Sequence, residues 1–229
     1  MNIYLVVEGE KTEALVYDKW IGYTNRSLRV VRNIGDVSTN NVYMIVGHGW
    51  PSYLDHIKAA VDDVCTKTDA HGLQLFNRLV VAVDTETVTV EEKRAEITET
   101  VIEALNGSHM AFDLHVITQH FCIEAWFLGN RDLLRRSERR LSRNDIEHYD
   151  VSLRDPELLN VPSNSRSLTN AQYAKMYLKN LVKDKYPLLT YRSNNPGPVL
   201  DERYYRFVVS RFTDTGHIQS FRAFIEAFS

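Results

Sequence analysis

Two uninterrupted apolar runs, Ile3-Tyr4-Leu5-Val6-Val7 and Leu79-Val80-Val81-Ala82-Val83, constrain this chain more than any other feature. A strand with one wet face alternates apolar and polar residues. Runs without alternation suit strands covered on both faces, as parallel sheets require. Each run ends abruptly in acid, at Glu8-Gly9 and at Asp84-Thr85-Glu86. Residues 12–21 read as a helix, with Leu15, Val16 and Trp20 apolar and Thr12 as its N-cap. Residues 28–34 and 42–46 read as strands, and Pro51 stands at the first turn of a helix over 52–66. A helix over 91–106, a strand over 114–118 and an apolar helix through Ile123, Ala125, Trp126 and Leu128 continue the alternation. Strands alternating with helices predict an α/β fold, a three-layer, mostly parallel sheet over residues 1–129.

Beyond residue 130 the strand signals stop. Residues 131–143 are rich in arginine, 150–168 read as loop, and 169–185 as a helix. A turn-rich stretch around Asn194-Asn195-Pro196-Gly197-Pro198 precedes a last helix through Phe221, Phe224 and Phe228. Residues 130–229 are therefore expected to form a helical C-terminal lobe packing on the core. With 229 residues, 44% of them hydrophobic, the chain can bury one substantial core. A net charge of -3 argues against wholesale coating of nucleic acid but leaves room for a local basic groove. Cys65 and Cys122 form neither a disulfide framework nor a metal-ligand spacing, which suits a reducing compartment. The N-terminus lacks the basic start of a signal peptide, and no run approaches the roughly 20 apolar residues of a membrane helix. A cytoplasmic protein without a membrane partner is expected.

In open α/β sheets, sites form outside the carboxyl ends of the strands. Glu8, Asp84 and Glu86 are expected on one rim if their strands are neighbours. Asp84 and Glu86 are two apart, so in an extended segment they point the same way. Three converging carboxylates repel one another unless a cation neutralises them, and Mg²⁺ (or Mn²⁺) prefers such hard oxygen donors. Gly9 allows a tight turn that a phosphate can approach, and the helix beginning near Thr12 aims its first N–H groups at the rim. Glu13, in that first turn, is either a further ligand or a residue placed there by the helix dipole alone. Glu124 lies among apolar neighbours, where an unpaired carboxylate is costly. It is expected to pair with Arg or His, or to face the metal. If Glu13 or Glu124 joins the rim, two metals about 4 Å apart become feasible.

Arg131, Arg135, Arg136, Arg139, Arg140 and Arg143 recur at mostly helical spacing. Such a run is either a solvated face or a grip on a phosphate backbone, since Arg binds phosphate bidentately. On the second reading Arg135, Arg136, Arg139 and Arg140, with Lys11 near the first acid, contact nucleic acid, and Lys175, Lys179, Lys183 and Lys185 add to that surface. His48, in the Gly47-His48-Gly49 loop, is either a helper at the rim or simply exposed. No HxH or HExxH spacing points to zinc, and there is no P-loop, GxGxxG or GxSxG.

The stretch Val7-Glu8-Gly9-Glu10-Lys11-Thr12-Glu13, followed by Val81-Ala82-Val83-Asp84-Thr85-Glu86, resembles the Toprim domains. It is similar in particular to the RloB-like and related bacterial Toprim families, which share an EGEKTE-like start. Ile123-Glu124-Ala125-Trp126-Phe127-Leu128 and Ser220-Phe221-Arg222-Ala223-Phe224 are similar to segments of the same families. The resemblance implies a Toprim-like (Rossmann-like) sheet. It further implies Glu8 as acid/base or first ligand, and Asp84 and Glu86 as the Mg²⁺-binding pair. One departure is that the usual DxD is DxE here, and the extra methylene moves the second carboxylate. The implied activity is Mg²⁺-dependent cleavage of DNA or RNA phosphodiesters. The implied setting is bacterial or phage defence, beside a separate ABC-type ATPase subunit that would supply the missing nucleotide-binding motif; a homo-oligomer is also compatible. Two other classes stay open, a non-cleaving nucleic-acid or nucleotide-binding module and a regulatory subunit whose Toprim core is a scaffold.

Overall fold

The structure, a computed structural model, describes residues 1–135, 140–165 and 167–229. Five strands, β1 (Ile3–Val7), β2 (Arg29–Val31), β3 (Asn41–Val46), β4 (Arg78–Asp84) and β5 (Asp113–Gln119), form one parallel sheet in the order β2-β3-β1-β4-β5. Helix α1 (Thr12–Thr24) follows β1, α2 (Ser52–Thr66) follows β3, and α3 (Val90–Leu105) follows β4. The expected α/β fold is therefore the observed one. Among the described residues no helix is long and apolar enough to cross a membrane.

Two compact units divide the chain: residues 1–83, 89–118 and 223–229 in the first, 84–88 and 119–222 in the second. This differs from a single cut between 129 and 130, because the turn after β4 belongs to the second unit and the chain's last residues return to the first. Within the first unit, both faces of β1 and β4 are dry. Tyr4, Val6, Leu79, Val81 and Val83 share one core with Tyr53, Ile57 and Val61 of α2 and Ile97 and Val101 of α3. Ile3, Leu5, Val7 and Val80, which alternate with them, are equally buried on the other face. Helix α1 contributes Val16, Tyr17, Trp20 and Ile21 to the buried set, and Phe224 packs edge-on to Tyr17 at 5.3 Å. That double burial is why the two central runs show no polar alternation.

Local chemistry sets the element ends. Thr89 and Glu92 form a capping box at α3: the Thr89 hydroxyl accepts from the Glu92 N–H (3.1 Å) and the Glu92 carboxylate from the Thr89 N–H (2.9 Å). Thr12, expected to cap α1, is instead its first helical residue and is buried; Lys11 occupies the cap without a side-chain hydrogen bond. The strand expected over 28–34 stops at Val31, because the Asn33 side chain accepts from the Gly35 N–H (3.0 Å) and turns the chain into a 3₁₀ segment.

The second unit holds α4 (Glu124–Phe127), α5 (Arg143–His148), α6 (Asn170–Lys185), α7 (Glu202–Thr215) and the start of α8 (Phe221–Phe228). Its core gathers Tyr173, Tyr177, Leu178 and Leu181 of α6, while Trp126 meets Phe221 at 5.1 Å. Helix α7 was not among the expected elements, yet Asp201 accepts from the Arg203 N–H, Gly216 ends the helix in a left-handed cap, and Tyr204, Tyr205 and Val208 are buried. The arginine run is not one continuous helix. Arg131–Leu134 is a 3₁₀ segment, and α5 begins only at Arg143. Arg211 is buried and donates to the carbonyls of Val151, Ser152 and Arg154, pinning that loop. Glu157 is also buried, accepting from the Ser220 hydroxyl and N–H, and Trp126 Nε1 donates to the same hydroxyl (2.7 Å).

Replacing Leu79 by Ala removes a fully buried β4 side chain and should cost about 3 kcal/mol in urea unfolding. Burial raises the Glu157 carboxyl above its ordinary pKa, and the Ser220 donors oppose that only in part. A raised folded-state pKa gives stability that is present below the unfolded value and lost as pH rises through the folded one. Urea midpoints measured from pH 4 to 7 should therefore fall more steeply in the native chain than in Glu157→Gln; equal slopes would contradict this.

Candidate functional site

Glu8 lies one residue beyond β1, where the sheet changes direction. From β1 the chain runs to β2 and β3 on one side, and from β4 to β5 on the other, so the carboxyl ends of β1 and β4 flank a topological switch point. Here the backbone is held from both flanks. The Glu8 N–H donates to the Ala82 carbonyl of β4 (3.0 Å), extending a register that pairs Val7 with Ala82. Its carbonyl accepts from the Gly49 N–H (3.2 Å), and Gly47 N–H donates to Val7 (2.7 Å). Glycine is needed at 47, since a Cβ there would lie 2.6 Å from the Tyr53 Cβ.

Gly9 also leaves room for a neighbouring side chain. A Cβ at this position would collide with the carboxylate of Glu13, which folds back over the turn. Glu13 therefore lies close to the Gly9 turn in the first unit. Lys11 is exposed, and Glu10 meets His48 Nδ1 at 3.1 Å on an exposed edge.

The second unit contributes the other acids. Strand β4 ends at Asp84, and Thr85 then turns inward. Its N–H donates to the Gln119 carbonyl (3.0 Å), and its hydroxyl accepts from the Phe121 N–H (2.7 Å). Glu86 follows in a left-handed conformation (φ 50°), and the Val88 N–H closes the turn on the Thr85 carbonyl (3.0 Å). Asp84 and Glu86 therefore do not share one extended segment, which corrects the expectation that they point the same way. Burial pushes the Cys122 thiol pKa well up, and the neighbouring carboxylates of Glu124 and then Asp84 push it in the same direction. Glu124 is 6% exposed, and the Tyr191 hydroxyl donates to its Oε1 at 2.8 Å. Among the described residues, the burial problem is eased by this tyrosine hydroxyl. Glu86 lines a separate open cleft of about 620 Å³, with His120, Phe121, Asn160, Val161 and Asn170 among the other walls. That volume falls in the range of small-ligand sites.

Among the described residues, no group of three or more His, Cys, Asp or Glu side chains is gathered closely enough to hold a metal ion. Of the expected basic contacts, Arg135 and Arg140 are exposed, whereas Arg136 and Arg139 lie outside the described residues. Lys185 is committed elsewhere, donating to the carbonyls of Asp132 (2.8 Å) and Arg135 (2.7 Å). Lys175 and Lys179 are exposed on α6.

Backbone strain follows a pattern that residue types did not announce. His48, Glu86 and Phe121 are all left-handed non-glycine residues, and each stands two positions past the end of β3, β4 or β5. Such conformations cost on the order of 1–3 kcal/mol and tend to collect at functional sites. Thr85, Phe121 and Tyr191 were also not foreseen; Thr85 and Phe121 lay beside motifs already noted, while Tyr191 is 67 residues from its partner. Compared with known protein families, curated proteins and solved structures, the chain matches none. Tyr191→Phe removes a donor to the buried Glu124 carboxylate and should cost about 2 kcal/mol in urea unfolding; an unchanged midpoint would show that this hydrogen bond is not holding the acid.

Proposed function

We propose that this chain is a Toprim-type, Mg²⁺-dependent nuclease cleaving DNA or RNA phosphodiesters. One observation carries the reading: Glu8 and Asp84 terminate neighbouring parallel strands at the point where the sheet reverses direction, the customary place for a site in an open α/β sheet. The residue types suit the ion, because Glu8 and Glu13 of the first unit and Asp84 of the second are carboxylates, and hard carboxylate oxygens suit Mg²⁺ or Mn²⁺. When bound, the metal polarises the phosphate and lowers the pKa of the attacking water. Glu8 accepts a proton from that water, its backbone being fixed by Ala82 and Gly49 so that the carboxylate is presented from a rigid base. Asp84 would hold the cation, as the family likeness implies, and Glu124 would be a further ligand. Arg135, Arg140 and Lys11 are exposed, and on this reading they contact the phosphate backbone. A cytoplasmic role in bacterial or phage defence, with an ABC-type ATPase subunit as partner, belongs to the same proposal and rests on the family likeness.

A second reading has its own support. The turn at Glu86 splits the acidic pair that would grip a metal in a Toprim site. A module that binds nucleic acid or nucleotide without cutting fits that arrangement. Plasmid and RNA incubated with the protein in Mg²⁺, in Mn²⁺ and in EDTA separate the two. Cleavage is expected with either metal and none with EDTA, with Glu8→Gln and Asp84→Asn each at least about a hundredfold slower. Full activity in both variants would sink the mechanism. Metal binding by calorimetry without cleavage would favour the binding module.

A further inference from the structure

Of the three tryptophans, Trp20 and Trp126 are fully buried, whereas Trp50 is 67% exposed. Its chain neighbour Gly49 donates its N–H to the Glu8 carbonyl (3.2 Å) and accepts at its own carbonyl from the Tyr53 N–H (3.0 Å). The indole is therefore tied through the main chain to the turn that carries Glu8, within the first unit. A side-chain network fixes the ring as well. The Tyr53 hydroxyl of α2 donates to Glu96 Oε2 of α3 (3.0 Å), and Lys93 Nζ donates to the same oxygen (2.8 Å) and to the Tyr53 hydroxyl (3.1 Å). Burial alone would raise the Glu96 carboxyl, but hydrogen bonds from Lys93, Tyr53 and the Trp50 indole N–H hold it below its ordinary pKa. The carboxylate that receives the indole is thus itself gripped by two donors, one of them a Lys93 side chain only 12% exposed. An exposed side chain usually loses rotamer freedom when a ligand orders it. Here the polar edge of the ring is already anchored while most of the residue stays in water.

We propose that Trp50 is a stacking platform for an unpaired base, seating a nucleic-acid strand against the Glu8 turn. Every base has a flat π-face, so stacking on an aromatic ring accepts any sequence. In a duplex those faces are covered by the neighbouring pairs. The ring therefore serves single strands, loops and flipped nucleotides, and passes over intact helices. Because the indole N–H is committed to Glu96, it orients the ring and leaves base edges unread. Trp50 touches the base and stays clear of the bond that is cut, so its loss should appear in KM with kcat little changed. The inference rests on the nucleic-acid reading of the Glu8 rim and narrows it to unpaired strands, and it holds whether or not the chain cuts.

Intrinsic fluorescence reads Trp50 directly, because the two buried tryptophans emit at shorter wavelength. In EDTA, and again in Mg²⁺ with Glu8→Gln, a single-stranded oligonucleotide should quench the long-wavelength emission. The same strand annealed to its complement should not. Anisotropy of a labelled single strand should show Trp50→Ala binding about tenfold more weakly or worse, and Trp50→Phe, which keeps a ring, recovering most of the loss. The side chain is exposed, so both variants are expected to keep the native melting temperature. Equal quenching by single strand and duplex, quenching by neither, or unchanged affinity in Trp50→Ala overturns the proposal. So does quenching by AMP at the concentrations at which the strand acts, which would identify a free nucleotide as the ligand. Cleavage in Mg²⁺ with KM unchanged in Trp50→Ala leaves the nuclease reading standing and removes this one; single-strand quenching without cleavage does the reverse.

Discussion

The parallel ladder between β1 and β4 is the interaction on which the rest depends. It joins the two most apolar strands of the sheet at its centre, and its last bond runs from Glu8 N–H to Ala82, already past the end of β1. A polar residue can be held just past the strand because hydrogen bonds with β4 and with the Gly47–Gly49 loop satisfy its backbone on both sides. The carboxylate is thus carried by a fixed main chain. Glu13, folded over Gly9, adds a second acid to the same turn without disturbing it.

The second unit solves a different problem, the burial of charge. Asp145 is held by the Tyr173 hydroxyl and the Asn180 amide, Glu124 by Tyr191, Glu157 by Ser220, and Arg211 by three carbonyls. Among the described residues, the hydrogen bonds that hold each of these groups come from neutral dipoles. Removing one of these dipoles leaves an ion in a poor solvent, so the partners matter as much as the ions themselves. Several of these groups lie in loops or 3₁₀ segments, which is how a unit with little regular structure between α4 and α6 keeps a defined shape.

Much of the first unit was legible in the residues. Continuous apolar runs at 3–7 and 79–83 required strands covered on both faces, and helical spacing with Pro51 located α2 to the residue. The candidate acids were legible only as positions in the chain. That Glu86 leaves the direction of Asp84 depends on a turn closed by Thr85, whose role appears only once Phe121 is beside it. The partner of Glu124 lies far along the chain in a stretch with no regular pattern. Helix α7 was readable in principle, through Asp201, the tyrosines at 204 and 205 and the closing Gly216, but its polar surface and the buried Arg211 masked the apolar face.

The left-handed residues after β3, β4 and β5 bear on how such a chain can change over generations. At each of these places glycine would relieve the backbone, and here His48, Glu86 and Phe121 stand instead. Selection for a firmer fold alone would drift all three toward glycine and erase an imidazole from the first unit and a carboxylate and a phenyl ring from the second. Their retention would mark a lineage still using those side chains, whereas a relative with glycines there would be a sturdier protein with less to offer a ligand.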